Sequence, residues 1–109
     1  MTALTHLPAG VREVVEATNS GDSAAFVAAF TPDGVVDDWG RTFTGTAKIA
    51  AWNDAENIGV RAHFRVQQVT VEGTTCTVAL TVSGQGYNGP STFTFELDGP
   101  LVRRMTITA

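Results

Sequence analysis

The sequence predicts an α+β fold, a cone-shaped barrel in which N-terminal helices pack on a strongly bent, mixed or antiparallel sheet. Apolar residues recur every three to four positions before Gly59 and alternate after it. The turn signals Tyr87-Asn88-Gly89-Pro90 and Asp98-Gly99 divide the second half into strands, and one of those strands changes phase midway. Helices followed by a meander of strands let the sheet curl around the helices, and such a cone leaves a pocket.

Each element has its own local cause. Over residues 8–19, Val11, Val14, Val15 and Thr18 fall on one helical face, with Pro8 near the first turn and Gly21 suited to a left-handed stop. Asp22 or Ser23 can cap a second helix carrying Phe26, Val27 and Phe30, closed by Thr31-Pro32-Asp33-Gly34. A third helix starts at Thr44 or Thr46 and runs through Ile49, Trp52 and Ala55. Residues 60–72 hold Val60, Ala62, Phe64 and Val66 in one phase but Val69 and Val71 in the other, which predicts a bulge and a bent sheet. Residues 74–83 put Cys76, Val78, Leu80 and Val82 on one face. A strand with Phe93, Phe95 and Leu97 inward and a last strand ending near Ala109 complete an antiparallel set.

Composition bounds the function. At 109 residues the chain fits a single domain spanning 1–109, and 43% hydrophobic with 17% charged residues is ordinary for a globular protein. A net charge of -4 with only seven Lys plus Arg leaves no basic field for phosphates, so nucleic acid and anionic membrane are poor partners and a small, mostly apolar molecule is a better one. The single Cys76 excludes an internal disulfide framework. Residues 1–10 lack a basic leader and an apolar signal core, so a cytoplasmic location is expected. No phosphate-cradling loop, dinucleotide fingerprint, zinc-spaced His/Cys cluster, calcium loop or nucleophile elbow occurs, and neither a metal nor an organic cofactor is implied.

The segment Val35-Val36-Asp37-Asp38-Trp39-Gly40 is the first place to look for chemistry, because it sets two carboxylates among bulky apolar residues where a strand enters the core. A carboxylate there is costly unless it is paired or useful. In the last strand Leu101, Arg103, Met105 and Ile107 share a phase, which puts Arg103 in the apolar phase. Arg103 could reach a carboxylate near the rim or orient a substrate oxygen; as a rim residue it would only lay its stem over apolar surface. His63 could pass a proton near neutral pH, although it lies out of phase with Phe64 and Val66 and so faces solvent or an interface. Tyr87 and Ser91 could donate hydrogen bonds, and Cys76, in the apolar phase of its strand, reads as inert packing.

Asn19-Ser20-Gly21-Asp22, Phe30-Thr31-Pro32-Asp33-Gly34 with the following Val35-Val36-Asp37-Asp38, Gly45-Thr46-Ala47-Lys48-Ile49 and Arg103-Arg104-Met105 follow one another over nearly the whole chain. In that order and spacing they resemble the nuclear transport factor 2-like superfamily, in its SnoaL-like and ketosteroid-isomerase-like branch. The resemblance implies a general base at Asp38, an aromatic lining position at Trp52 and a last strand whose Met105 phase looks into the cavity. It also implies two oxyanion donors, a Tyr and a protonated Asp, whose positions fall near Val14 and Ser91 here. Losing both removes about 2.7–4 kcal/mol of transition-state stabilisation per donor, which argues against a steroid-type isomerase.

The candidate site is therefore Asp38, His63 and Arg103 for catalysis, with Val14, Phe30, Trp39, Trp52, Tyr87 and Met105 against the substrate. Asp37 is expected on the opposite face from Asp38. Two functions fit: a cofactor-independent isomerase, cyclase or dehydratase that uses Asp38 as base, and a noncatalytic ligand-binding or dimerisation module whose cone is filled by side chains. The resemblance also implies a homodimer through the Thr- and Ser-rich outer sheet face.

Overall fold

A computed structural model describes residues 7–109; the leaderless start inferred above lies outside them for residues 1–6. Helix α1 spans Ala9–Ser20 and ends at Gly21, whose φ of 74° supplies the left-handed cap that satisfies its last carbonyls. Helix α2, Ser23–Ala28, is opened by Asp22, whose carboxylate accepts from Ala25 N at 3.0 Å. Strand β1 covers Phe30–Asp38, β2 Arg41–Thr44, and helix α3 Thr46–Glu56. A 3₁₀ turn at Ile58–Val60 leads into β3, His63–Glu72, followed by β4, Thr75–Ser83, β5, Gly89–Asp98, and β6, Leu101–Thr108.

The six strands form one mixed, open sheet in the order β2-β1-β6-β5-β4-β3. Strands β3 to β6 are the expected antiparallel meander, and β1 joins it parallel to β6. The phase change read in residues 60–72 is a register shift between Val66 and Gln68. Two more shifts occur, between Phe30 and Val35 and between Glu96 and Leu97. Each extra residue bends its strand and increases the local twist, so three of them curl the sheet around the helices. Helix α1 packs on β3 and β6, while α3 lies over β1 and β2.

The Asn19-Ser20-Gly21-Asp22 motif also ties helix to sheet. Asn19 donates through Nδ2 to Phe64 O at 2.9 Å and accepts at Oδ1 from Phe64 N at 2.7 Å, occupying both backbone groups of a β3 residue. The concave face of the sheet holds Cys76, Val78, Leu80, Phe93, Phe95 and Met105, closed by Val11, Val14, Val15 and Phe26 of the helices. Burial pushes the Cys76 thiol up, in keeping with its reading as inert packing.

Four expectations are corrected. Phe30 opens β1 instead of closing the second helix, because the chain leaves α2 at Ala29 and hydrogen-bonds straight to β6 through Val102 N to Ala29 O at 2.8 Å. Thr31-Pro32-Asp33-Gly34 is the bulged part of that strand and not a free turn. Gly89-Pro90 already belongs to β5, paired with Val82 and Thr81. Arg103 is not in the apolar phase: the shift at Glu96/Leu97 leaves Val102, Met105 and Ile107 inward, and Arg103 projects outward beside Glu96 at 3.8 Å. Truncating the fully buried Phe95 to Ala should cost about 3–5 kcal/mol in urea unfolding, and a loss under about 1 kcal/mol would show that it does not hold the core.

Candidate functional site

The site begins with strand alternation at the end of β1. Val36 is fully buried, so Asp38, two residues on, shares its concave side, while Val35 and Asp37 face outward. On the outer face Asp37 is satisfied by Arg104 at 2.7 Å and by Gly40 N at 2.8 Å. The pair is thus divided between the two faces of one strand. Asp38 lines a cavity of about 300 Å³, at the small end of ligand pockets.

Trp39 and Gly40 connect β1 to β2 as a two-residue turn, with φ of 55° and 89°. Two positive φ values are what a type I′ hairpin turn requires, and Asn-Gly is its usual sequence. A tryptophan in that conformation is strained and stands 62% exposed at the cavity rim. The turn sets Asp38 opposite Arg41. Arg41 Nη2 donates to Asp38 Oδ2 at 2.6 Å and to Glu56 Oε1 at 2.6 Å, and Nη1 donates to Glu56 Oε2 at 3.0 Å.

Helix α3 supplies the other partners through its period. Trp52 and Glu56 are four residues apart on one face. The buried Trp52 ring packs on Phe26 and Phe43, and its indole N–H donates to Asp38 Oδ2 at 3.1 Å. Oδ2 therefore takes both bonds, and Oδ1 accepts none from the described residues. The hydrogen bond from Arg41 holds the Glu56 carboxyl below its ordinary range, and the same bond holds the Arg41 guanidinium above its own.

Just past α3, Asn57 borders the cavity while only 2% exposed. Its Nδ2 donates to Thr18 Oγ1 at 3.1 Å and to Asn53 Oδ1 at 3.0 Å, which uses both amide hydrogens. The floor is apolar, formed by Phe64, Phe93 and Ile107. Tyr87 stands at the rim, on a loop pinned by the Gln85 N to Val60 O bond at 2.8 Å.

Of the residues expected at the site, Asp38, Trp39, Trp52 and Tyr87 line this cavity. Val14, Phe30 and Met105 do not; they are packed into the core beyond it. Arg103 is on the outer face, and His63 is exposed at the start of β3, where alternation sends Phe64 inward instead. The expected donors are committed elsewhere. Ser91 Oγ donates to Thr108 O at 2.7 Å and Tyr87 Oη to Pro90 O at 2.6 Å. Arg41, Glu56 and Asn57 were not singled out from the sequence. The first two carry readable signals, a partner across a two-residue turn and an i,i+4 neighbour of Trp52; Asn57 carries none, since its role depends on Thr18, far away in the chain. No group of three or more His, Cys, Asp or Glu side chains that could hold a metal ion occurs among the described residues.

An open, bent α+β sheet whose helices leave a cavity against it defines the nuclear transport factor 2-like class. The SnoaL-like domain family model matches residues 11–105, and the chain belongs to that family. A solved structure of a proposed polyketide cyclase from Sinorhizobium meliloti is similar at 27% identity and a TM-score of 0.88, covering 96% of this chain and 98% of that one. A Mycobacterium tuberculosis protein in complex with estradiol-17β-hemisuccinate is 14% identical with a TM-score of 0.80 over 94% of this chain and 93% of its own. The Δ5-3-ketosteroid isomerase of a Mycobacterium species is 21% identical with a TM-score of 0.77 over 93% and 90%. No curated protein matches the chain.

The turn yields one prediction. Trp39→Asn relieves a left-handed tryptophan and should leave stability unchanged or raise it by up to about 1 kcal/mol, while weakening the binding of apolar probes. A clear drop in the urea midpoint would show that the indole's contacts outweigh its strain. The Arg41–Glu56 pair yields another. A carboxyl whose folded pKa is depressed stabilises the fold above its unfolded value and loses that contribution as pH falls through the folded one. The stability difference between the parent chain and Glu56→Gln should therefore be full near pH 7 and shrink once pH falls below 4.5. A difference independent of pH would remove the ion pair as its cause.

Proposed function

We propose that this chain binds a small, mostly apolar molecule in the cone and acts on it as a cofactor-independent isomerase, cyclase or dehydratase, with Asp38 as general base. One observation carries the reading: the Asp38 carboxylate borders the cavity with Oδ2 anchored by Trp52 and Arg41, and Oδ1 without a partner among the described residues. A base needs a fixed orientation and a free lone pair, and this carboxylate has both. The fold neighbour that holds estradiol-17β-hemisuccinate supports the capacity of such a cone to take a ligand.

A second reading, a noncatalytic ligand-binding module, is favoured by the engaged hydroxyls. Ser91 and Tyr87 give their hydrogens to backbone carbonyls, and Val14 lies outside the cavity. The steroid-type pair of oxyanion donors therefore has no counterpart, which weighs against enolate chemistry of that kind. The same proposal takes the chain as a cytoplasmic homodimer paired through the outer sheet face, where Thr77, Thr94 and Thr106 align across β4, β5 and β6. No helix among the described residues is long and apolar enough to cross a membrane.

The two readings separate at Asp38. In a panel of small ketones, lactones and epoxides followed by NMR in D₂O, the parent chain should promote exchange or conversion of at least one compound, and Asp38→Asn should slow it by about 10²–10⁴-fold with binding retained. Binding without any conversion, equal in both proteins, would establish the noncatalytic module instead.

A further inference from the structure

The polar character of the cavity is one-sided. Asp38 and Glu56 line it, and no Lys, Arg or His among the described residues does. Arg41 stands outside the lining and is shared by both carboxylates at 2.6 Å, so one guanidinium faces two negative charges. About one negative charge is left over at the mouth.

Asn57 points the same way independently. Both hydrogens of its amide are used by Thr18 and Asn53, so only Oδ1 is left to a ligand, and no donor reaches it. Thr31 Oγ1 is the one sealed side-chain polar atom without a partner among the described residues; Asn57 Oδ1 is not sealed, and Asn57 borders the cavity. Asp38 Oδ1 is a second open acceptor. The hydroxyls of Ser91 and Tyr87 have given up their hydrogens, so they too can only accept. Acceptors therefore outnumber donors on the wall, the donors being the Ser83 hydroxyl and the Trp39 indole N–H.

Aromatic faces complete the picture. Trp52 lies inside, and Trp39 and Tyr87 stand at the rim, 62% and 56% exposed. Trp39 is kept there in spite of a strained φ of 55°. Rings around an acidic cavity suit an organic cation, because their negative faces attract it.

We infer that the cavity selects a small protonated amine with an apolar body, its N–H groups directed to Asn57 Oδ1 and Asp38 Oδ1 and its charge held by the Asp38/Glu56 carboxylates and the rings of Trp39, Trp52 and Tyr87. The apolar body would lie on Phe64, Phe93 and Ile107. The inference rests on the cavity being the ligand site and adds the chemistry of the head group. Phosphates and carboxylates are disfavoured by the same geometry, which presents them with negative charge and acceptors.

Three probes with one ring isolate the head group: cyclohexylammonium, cyclohexanol and cyclohexanecarboxylate, titrated near neutral pH while the Trp52 indole N–H resonance is followed by NMR. The ammonium should bind about tenfold tighter than the alcohol, and the carboxylate should leave the resonance unmoved. Glu56→Gln, which removes one lining carboxylate while keeping the side chain's size, should lower the ammonium affinity about fivefold and the alcohol affinity by much less. Equal affinity for ammonium and alcohol, or no effect of Glu56→Gln on the ammonium, would overturn the inference while the cavity remained a ligand site. Tighter binding of the carboxylate would overturn it as well and would mean that the Asn57 amide turns its NH₂ to the cavity. If none of the three moved the Trp52 resonance, the cavity reading itself would fall.

Discussion

Oδ2 of Asp38 joins three elements at a single atom. Trp52 brings α3 to it, Arg41 brings β2, and the carboxylate itself ends β1. Arg41 then reaches Glu56 and closes the connection back to α3. Removing the carboxylate would leave a buried indole N–H without an acceptor and take one of the two bonds from Arg41 Nη2, and a buried unmade bond costs more than a made one contributes. The cavity lies on the concave side of this knot, with Trp52 and Glu56 of α3 in its lining.

The same knot decides the chemistry. A carboxylate with both oxygens engaged would be structural, and one with neither engaged would be free to turn away. Here one oxygen is anchored and the other open, an arrangement that serves a base and a counter-ion equally. Which of these it is depends on what faces it. On the cavity wall the Asn57 amide hydrogens and the Ser91 hydroxyl are already committed to protein acceptors.

Most of the architecture was legible in residue order. Alternation in β4 and the phase break in β3 are local signals, and both appear in the structure as read. Phe30 and Arg103 both border register shifts, and at Arg103 the one extra residue in β6 reverses which side chains face inward. Helical spacing from Phe26 made Phe30 look like a fourth-turn contact, and simple alternation from Met105 made Arg103 look inward. The strand β2 was missed because its turn carries Trp where Asn is usual.

By itself the sequence determined the α+β class, the stop of α1 at Gly21, the inward face of β4 and the phase break in β3, because these follow from side-chain period and capping chemistry. Only the tertiary structure decided which carboxylate meets the cavity, that Arg41 and not Arg103 attends it, and that Asn57 offers an acceptor there. Those outcomes depend on register shifts and on hydrogen bonds between residues as far apart as Thr18 and Asn57, and no local pattern carries them.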